Sequence, residues 1–219
     1  MAGRRRVGVL ISGRGSNMAT LVAAAADPAY PAEIAVVIAN RPDAAGLETA
    51  ARAGIPAVAV DHKAYPDKPG FETAMTAVLD AHGVEIVALA GFMRLLSSTF
   101  IDRWRDRLIN IHPSLLPAYR GLDTHARAIA DGALVAGCSV HFVRPEVDTG
   151  PVIAQAVVPI LPGDDTDSLS RRVLAAEHRL YPHALALVAS GAVRAGAERA
   201  VYEGVDFDPQ ACLMTPISP

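Results

Sequence analysis

Short apolar runs alternate with longer stretches of helix-forming residues through the first half of the chain. The apolar runs are rich in β-branched residues and lack polar alternation, which is typical of parallel strands buried on both faces. They predict strands at residues 7–11, 34–38, 56–60 and 86–90. The intervening stretches have helical spacing and predict helices over 18–26, 46–53 and 71–82. The alternation predicts an α/β fold with a mostly parallel twisted sheet flanked by helices.

The pattern changes in the second half of the chain. A fifth strand is predicted at residues 108–112 and ends at Pro113, because proline lacks the N–H that a continuing central strand would need. A further helix is predicted near 124–131. It is followed by two strands, at 138–143 and 152–158, that a loop connects.

The last predicted element is a long helix over about 167–190. Asp165 or Asp167 can cap it, because a carboxylate at this position accepts hydrogen bonds from the first free N–H groups of a helix. Pro182 has no amide hydrogen, and we expect it to bend the helix or to mark its last turns.

Composition favours a globular protein that acts on small molecules. With 51% apolar residues, a chain of 219 residues can bury a substantial core. The formal net charge of −3 provides no strong basic field for nucleic acid. No segment approaches the roughly 18 apolar residues of a membrane helix. The two cysteines, Cys138 and Cys212, are too few for a disulfide scaffold, so we expect a cytoplasmic protein.

A glycine-rich segment, Ser12 to Asn17, lies between the first predicted strand and the first predicted helix. Glycines let backbone N–H groups approach an anion, and the helix dipole favours negative charge, so this turn predicts a phosphate site. It is not a dinucleotide fingerprint, because Met18 stands where the third glycine would fall. The alternative is a plain turn in which Ser16 or Asn17 caps the helix.

A polar pair marks the end of the fifth strand. Asn110 and His112 are two residues apart, so both point to one side of the strand and into one cleft at its carboxyl end. An amide donor beside an imidazole suits the oxyanion that develops in acyl transfer. The alternative for His112 is a hydrogen-bonded structural histidine.

Asp148 lies in a loop just before Gly150 and Pro151. A carboxylate there can be held against an imidazole, which it orients and stabilises in its charged form. The alternative is a turn residue that bonds its own backbone. For His141, in the preceding strand, we favour a structural role. No histidines and carboxylates show metal-ligand spacing, so we expect no zinc site.

Taken together, these motifs resemble the glycinamide ribonucleotide formyltransferases, small enzymes that use 10-formyltetrahydrofolate. The resemblance is colinear and extends to roughly Val205. It rests on the segments SGRGSN (12–17), AGFMRLL (90–96), NIHPSLLP (110–117), HFVRPEVDTGPVI (141–153), AEH (176–178) and YP (181–182).

The resemblance implies site residues in three groups. Asn110, His112 and Asp148 would form the catalytic triad. The ribonucleotide would be bound by Gly15, Ser16, Asn17 and Glu177. The folate would contact Lys68, Met93, Arg94, Leu95, Leu96, Asn110, Arg144, Pro145, Glu146, Val147 and Asp148.

The resemblance also implies a Rossmann-like formyltransferase fold. It would be a single catalytic domain over 1–205, with a phosphate-binding half over about 1–105 and a folate-binding and catalytic half over about 106–205. Residues 206–219 would form a C-terminal tail. The implied co-substrate is 10-formyltetrahydrofolate, without a metal. We expect small-molecule substrates, no nucleic acid or membrane partner, and a monomer or weak homodimer.

The implied reaction is direct transfer of a formyl group to the primary amine of N1-(5-phospho-D-ribosyl)glycinamide in purine synthesis. A methionyl-tRNA formyltransferase-like enzyme is an alternative, but such enzymes carry a further C-terminal domain and a basic surface for tRNA. The chain could also be a formyltetrahydrofolate hydrolase-like enzyme or an inactive Rossmann-like binding module. The presence of Asn110, His112 and Asp148 together argues against the inactive module.

Overall fold

The computed structural model describes residues 3–208, so only 206–208 of the predicted tail are covered and Cys212 lies outside them. A seven-stranded sheet has the order β3-β2-β1-β4-β5-β6-β7, and a two-stranded sheet pairs β8 with β9. The strands are β1 (Arg5–Ile11), β2 (Ala32–Ala39), β3 (Ala57–Ala59), β4 (Ile86–Leu89), β5 (Leu108–His112), β6 (Val135–Phe142), β7 (Val152–Pro159), β8 (Val193–Ala195) and β9 (Ala200–Tyr202). The helices are α1 (Ser16–Ala25), α2 (Ala45–Arg52), α3 (Lys68–Ala81), α4 (Ser98–Arg103), α5 (Thr124–Ala130) and α6 (Thr166–Ala189).

The topology of the large sheet locates its ligand-binding edge. Strands β1 to β5 are parallel, whereas β6 runs antiparallel to both β5 and β7. The chain moves outward from β1 to β3 and then returns to place β4 on the other side of β1. Ligands of open α/β sheets bind at such a switch point, outside the carboxyl ends of the strands. The α/β class and the mostly parallel sheet predicted from sequence are confirmed.

Helices cover both faces of the sheet. Along β1, Val9 and Ile11 belong to one core cluster, with residues of α1, α2 and α6, while Leu10 belongs to the other, with residues of α3 and α4. Successive side chains of a strand point to opposite faces, so a strand covered on both sides is apolar throughout. This burial explains why the sequence shows apolar runs without alternation.

The structure contains short elements that sequence reasoning missed. They are α4, a 3-10 turn at His62–Ala64, and the β8–β9 pair. Helix α4 has six residues, too few for a helical period to appear, and β8 and β9 have three residues each. The predicted strand at 56–60 is limited to Ala57–Ala59, at the edge of the sheet.

The predicted final helix is confirmed as α6. Asp165 is its N-cap and accepts the Ser168 N–H at 2.7 Å, while Ser168 Oγ accepts the Asp165 N–H at 3.0 Å. This reciprocal capping box makes Asp165, not Asp167, the capping residue. Pro182 lies inside the helix, which continues to Ala189, so the proline marks its last turns.

Candidate functional site

The N-terminus of α1 has the geometry of an anion site. Its N-cap is Gly15, at φ 71°, where a Cβ would lie 2.9 Å from the Met18 side chain. No side chain caps the helix, so the alternative in which Ser16 or Asn17 caps it is wrong. Among residues 3–208, the backbone N–H groups of Gly15, Ser16 and Asn17 have no hydrogen-bond partner. They are free to bind an anion at the positive end of the helix dipole.

A cleft of about 460 Å³ opens beside this loop. The segment after β4 contributes Met93 and Arg94, two residues that the sequence assigned to the folate. The lining of the cleft also includes Arg14, Arg41 and His62. Three arginines around one cleft favour an anionic ligand.

Two polar residues that sequence reasoning did not assign connect the walls of this cleft. Ser12 Oγ donates to Asn40 Oδ1 at 2.6 Å and accepts the backbone N–H of Met93 at 2.8 Å. The Ser12 hydroxyl therefore holds the segment after β4 against the glycine-rich loop. Ser12 begins the predicted phosphate segment, whereas nothing in the local sequence marks Asn40.

Glu177 and Asn17, both predicted to contact the ribonucleotide, are in direct contact. Asn17 Nδ2 donates to Glu177 Oε2 at 2.7 Å, although the two residues are 160 positions apart. Both are buried, and Asn17 Oδ1 has no hydrogen-bond partner. Burial raises the pKa of Glu177, and the hydrogen bond from Asn17 opposes the rise. A buried carboxyl group beside an unpaired amide oxygen can bind a ligand N–H group.

The structure brings Asp148 to His112, as predicted. Asp148 Oδ2 lies 3.3 Å from His112 Nδ1 and accepts the Gly121 N–H at 2.9 Å. The Asp148 backbone has φ 54°, which is uncommon outside glycine. Two residues later, a Cβ on Gly150 would lie 1.7 Å from the Phe142 carbonyl oxygen, so only glycine fits there. The loop thus holds the carboxylate in one place.

Both ring nitrogens of His112 face acceptors. Nδ1 faces Asp148, and Nε2 lies 3.0 Å from the Tyr119 carbonyl oxygen, to which it donates. Burial lowers the pKa of His112, and the Tyr119 carbonyl and Asp148 partly offset the effect. Burial also acts to raise the pKa of Asp148, but the Gly121 N–H and His112 act against it, and the pKa stays below its ordinary value. Asp148 is therefore charged at neutral pH, and His112 donates to both acceptors at once only when its ring is protonated.

His141 lies at the centre of this cluster, a position that sequence reasoning did not anticipate. It is only 2% exposed, and its Nε2 is 3.2 Å from Asn110 Nδ2 and 3.6 Å from Asp148 Oδ1. Asn110 and His141 are directly opposite each other on β5 and β6. The strand register could have revealed the contact, but the sequence alone does not determine that register.

The residues assigned to the folate differ in their surroundings. Met93, Leu95 and Val147 are half or more exposed, at 72%, 71% and 50%, which is unusual for apolar side chains and leaves them available to a ligand. Leu96 is half-buried against the core, and Arg94, Pro145 and Glu146 are exposed.

Two basic residues assigned to the folate differ in how they are held. Arg144 Nη2 bonds Asp106 at 2.7 Å, which anchors the start of the loop before Asp148. Lys68 is exposed at the first position of α3 and does not line the 460 Å³ cleft.

Within residues 3–208, no three His, Cys, Asp or Glu side chains are grouped as metal ligands would be. None of the helices in this part of the chain is both long and apolar enough to cross a membrane.

Comparison with known proteins identifies the family. Residues 5–185 match the family described as formyl transferase. The phosphoribosylglycinamide formyltransferase of Escherichia coli (strain K12) is 40% identical over 202 residues, which cover 92% of this chain and 95% of that protein. The trifunctional purine biosynthetic protein adenosine-3 of Homo sapiens is 47% identical over 88% of this chain, which spans only 19% of that relative's length.

Comparison with solved structures leads to the same family. Glycinamide ribonucleotide transformylase 1 from Symbiobacterium toebii has a TM-score of 0.89 and 45% identity, with 92% of this chain and 95% of that chain covered. Phosphoribosylglycinamide formyltransferase from Brucella melitensis has a TM-score of 0.83 and 48% identity, with 88% and 100% covered. The family resemblance and the fold predicted from the motifs are confirmed, and the chain belongs to the formyl transferase family.

Proposed function

We propose that this protein transfers the formyl group of 10-formyltetrahydrofolate to the primary amine of N1-(5-phospho-D-ribosyl)glycinamide, in the purine (IMP) pathway. The products are N-formylglycinamide ribonucleotide and tetrahydrofolate. The names of its relatives support formyl transfer to this acceptor. The observation that carries the proposal is the Asp148 carboxylate, held against His112 beside the Asn110 amide.

The spacing of the strands supports a phosphorylated acceptor. The anion loop follows β1, and Asn110 and His112 lie near the end of β5, with β4 between these two strands. Two strand spacings are about 10 Å. A ligand with a phosphate at one end and an amine at the other can bridge this distance. Glu177, which contacts Asn17, would bind N–H groups of the glycinamide end.

The chemistry we propose is direct transfer. The acceptor nitrogen attacks the formyl carbon, a C–N bond forms, and the bond from that carbon to N10 of the folate breaks. A proton leaves the acceptor amine and reaches N10, with Asp148 assisting its movement. The formyl oxygen gains negative charge in between and is stabilised by N–H groups of Asn110 and of protonated His112, whose charge Asp148 sustains.

A covalent enzyme intermediate has no support at Ser114, the nearest serine after His112 in the chain. Ser114 is 3% exposed and its Oγ donates to the Ala118 carbonyl at 2.6 Å. A nucleophilic serine requires a base that accepts its proton, and a backbone carbonyl cannot do so. This contact supports direct attack by the amine.

The apolar surface supports a folate as the donor. We assign Met93, Leu95 and Val147 to contacts with its ring system, because exposed apolar side chains gain most from covering by a flat ligand. The half-buried Leu96 is assigned to the same surface. The proposed folate surface also includes Lys68, Arg94, Arg144, Pro145 and Glu146, beside Asn110 and Asp148. We further propose that the protein acts in the cytoplasm on small molecules, as a monomer or weak homodimer without a metal.

A product assay separates the candidate activities. The purified protein is incubated with 10-formyltetrahydrofolate and either the ribonucleotide, methionyl-tRNA or no acceptor, and tetrahydrofolate and formylated product are measured. Release that requires the ribonucleotide supports the proposal. Equal release without it indicates a hydrolase, transfer only to methionyl-tRNA indicates the tRNA-dependent enzyme, and no turnover refutes the catalytic role.

A further inference from the structure

The contact between His141 and Asn110 is determined by the strand register. The two residues form a directly opposed pair of β5 and β6, and such pairs have Cβ atoms about 4.5–5.5 Å apart. On its other side, β6 has an irregularity in its pairing with β7 between Val140 and His141. Irregularities of this kind re-aim a side chain and are frequent beside active sites.

The hydrogen bonds of His141 define which nitrogen carries its proton. Nδ1 lies 3.0 Å from the Phe142 carbonyl oxygen, which can only accept, so Nδ1 must donate. In the neutral ring, Nε2 then carries a lone pair and must accept. Its neighbour at 3.2 Å is the amide nitrogen of Asn110, a donor. The Asp148 oxygen at 3.6 Å is too distant to share this bond.

This arrangement determines the orientation of the Asn110 amide. If the amide were turned by 180°, its oxygen would face the Nε2 lone pair, and two acceptors would be left in contact. With Nδ2 towards His141, one N–H is used by the ring and the second N–H of the same nitrogen stays available to a ligand. Among residues 3–208, no protein acceptor uses that second N–H.

We infer that His141 is a positioning residue that orients the Asn110 amide, so that an N–H and not the carbonyl oxygen faces the formyl oxygen as it becomes charged. The inference deepens the proposed function and rests on it. It gives the protein a donor that is aligned before the substrate arrives, which is the condition for strong stabilisation of an oxyanion. In this role His141 acts through Asn110 and not directly on either substrate.

The test removes the acceptor and keeps the volume. His141→Phe and His141→Leu remove the acceptor at Nε2, whereas His141→Gln retains an amide oxygen that can accept from Asn110. We expect kcat to fall about tenfold in the first two variants, because the Asn110 N–H loses its partner and the amide turns away. The KM values should stay within about twofold. His141→Gln should recover most of kcat.

A double-mutant cycle distinguishes positioning from a general structural effect. Asn110→Ala removes the amide through which His141 is inferred to act, so adding His141→Phe to Asn110→Ala should cause no further loss of kcat. Additive losses would overturn the inference, because they would mean that His141 acts through Asp148 or through the fold. Equal kcat for His141→Gln and His141→Phe would overturn it as well.

A readout without turnover separates this inference from the proposed function. In 15N NMR spectra, the Asn110 side-chain amide is the pair of resonances that Asn110→Ala removes. Its hydrogen exchange should be slow in the unaltered protein and in His141→Gln, and at least several-fold faster in His141→Phe or His141→Leu. Unchanged exchange in both apolar variants would overturn the inference. Absence of formyl transfer by the unaltered protein would refute only the proposed function.

Discussion

Replacing Asp148 with asparagine tests the centre of the proposed mechanism. The substitution preserves the size of the side chain and retains an oxygen that can accept the Gly121 N–H, which Asp148 Oδ2 accepts at 2.9 Å. It removes the negative charge that lies 3.3 Å from His112 Nδ1. We therefore expect Asp148→Asn to fold and to bind both substrates, but to lose most of its turnover.

The geometry limits the size of this loss. Two unit charges 3.3 Å apart attract by about 5 kcal/mol at an effective dielectric constant of about 20. Only part of this attraction separates the ground state from the transition state, because burial, which lowers the pKa of His112, opposes the charged ring throughout. Deletion of one contributor to an oxyanion site reduces kcat by about 10² to 10³, or roughly 2.7–4.1 kcal/mol. That loss lies within the electrostatic limit.

Steady-state kinetics with both substrates measure the effect. The matched control is Asp80→Asn, the same substitution at an exposed aspartate that pairs with Arg103. It should leave kcat within about twofold, since exposed ion pairs contribute little. A kcat for Asp148→Asn within about threefold of the unaltered protein, or a loss confined to KM, would refute the role assigned to Asp148.

Three further outcomes are expected. Gly15→Ala should lower the free energy of unfolding in urea by about 1–2 kcal/mol and raise KM for the ribonucleotide, because alanine is strained at φ 71°. Lys68→Ala should raise KM for the folate a few-fold at low salt, because an exposed ammonium binds the carboxylate of the folate's glutamate tail weakly. It should leave kcat unchanged, because that tail is remote from the reacting carbon. Glu177→Gln should gain stability relative to the unaltered protein as pH rises above 4.5, as urea midpoints will show. The raised pKa of Glu177 means that its contribution is full below its ordinary value and is lost as the buried group ionises.

Much of the fold and part of the candidate site could be predicted because they depend on local sequence. The spacing of apolar residues along the strands and helices follows from their burial on the two faces of the sheet. The glycine-rich turn needs only a strand end and a helix start, and Gly15 occupies that junction at positive φ. Asn110 and His112 converge because residues two apart on a strand point the same way. Such features are encoded over a few residues.

The contacts of Asn40 and His141 could not be predicted because they depend on pairing between distant segments. Asn40 reaches Ser12 only because β2 lies beside β1, and His141 reaches Asn110 only in one register of β5 and β6. A shift by one residue would turn His141 to the other face. Local sequence favoured a structural role for His141, and the antiparallel pairing of β6 changed that interpretation.

The two oxyanion donors in the proposed mechanism differ in whether an N–H group is free before the substrate binds. Asn110 is already oriented by His141, whereas His112 donates its Nε2 proton to the Tyr119 carbonyl at 3.0 Å. His112 can serve the formyl oxygen only when that bond is exchanged. The preset donor of the proposed site is therefore Asn110, and His112 joins it as negative charge develops.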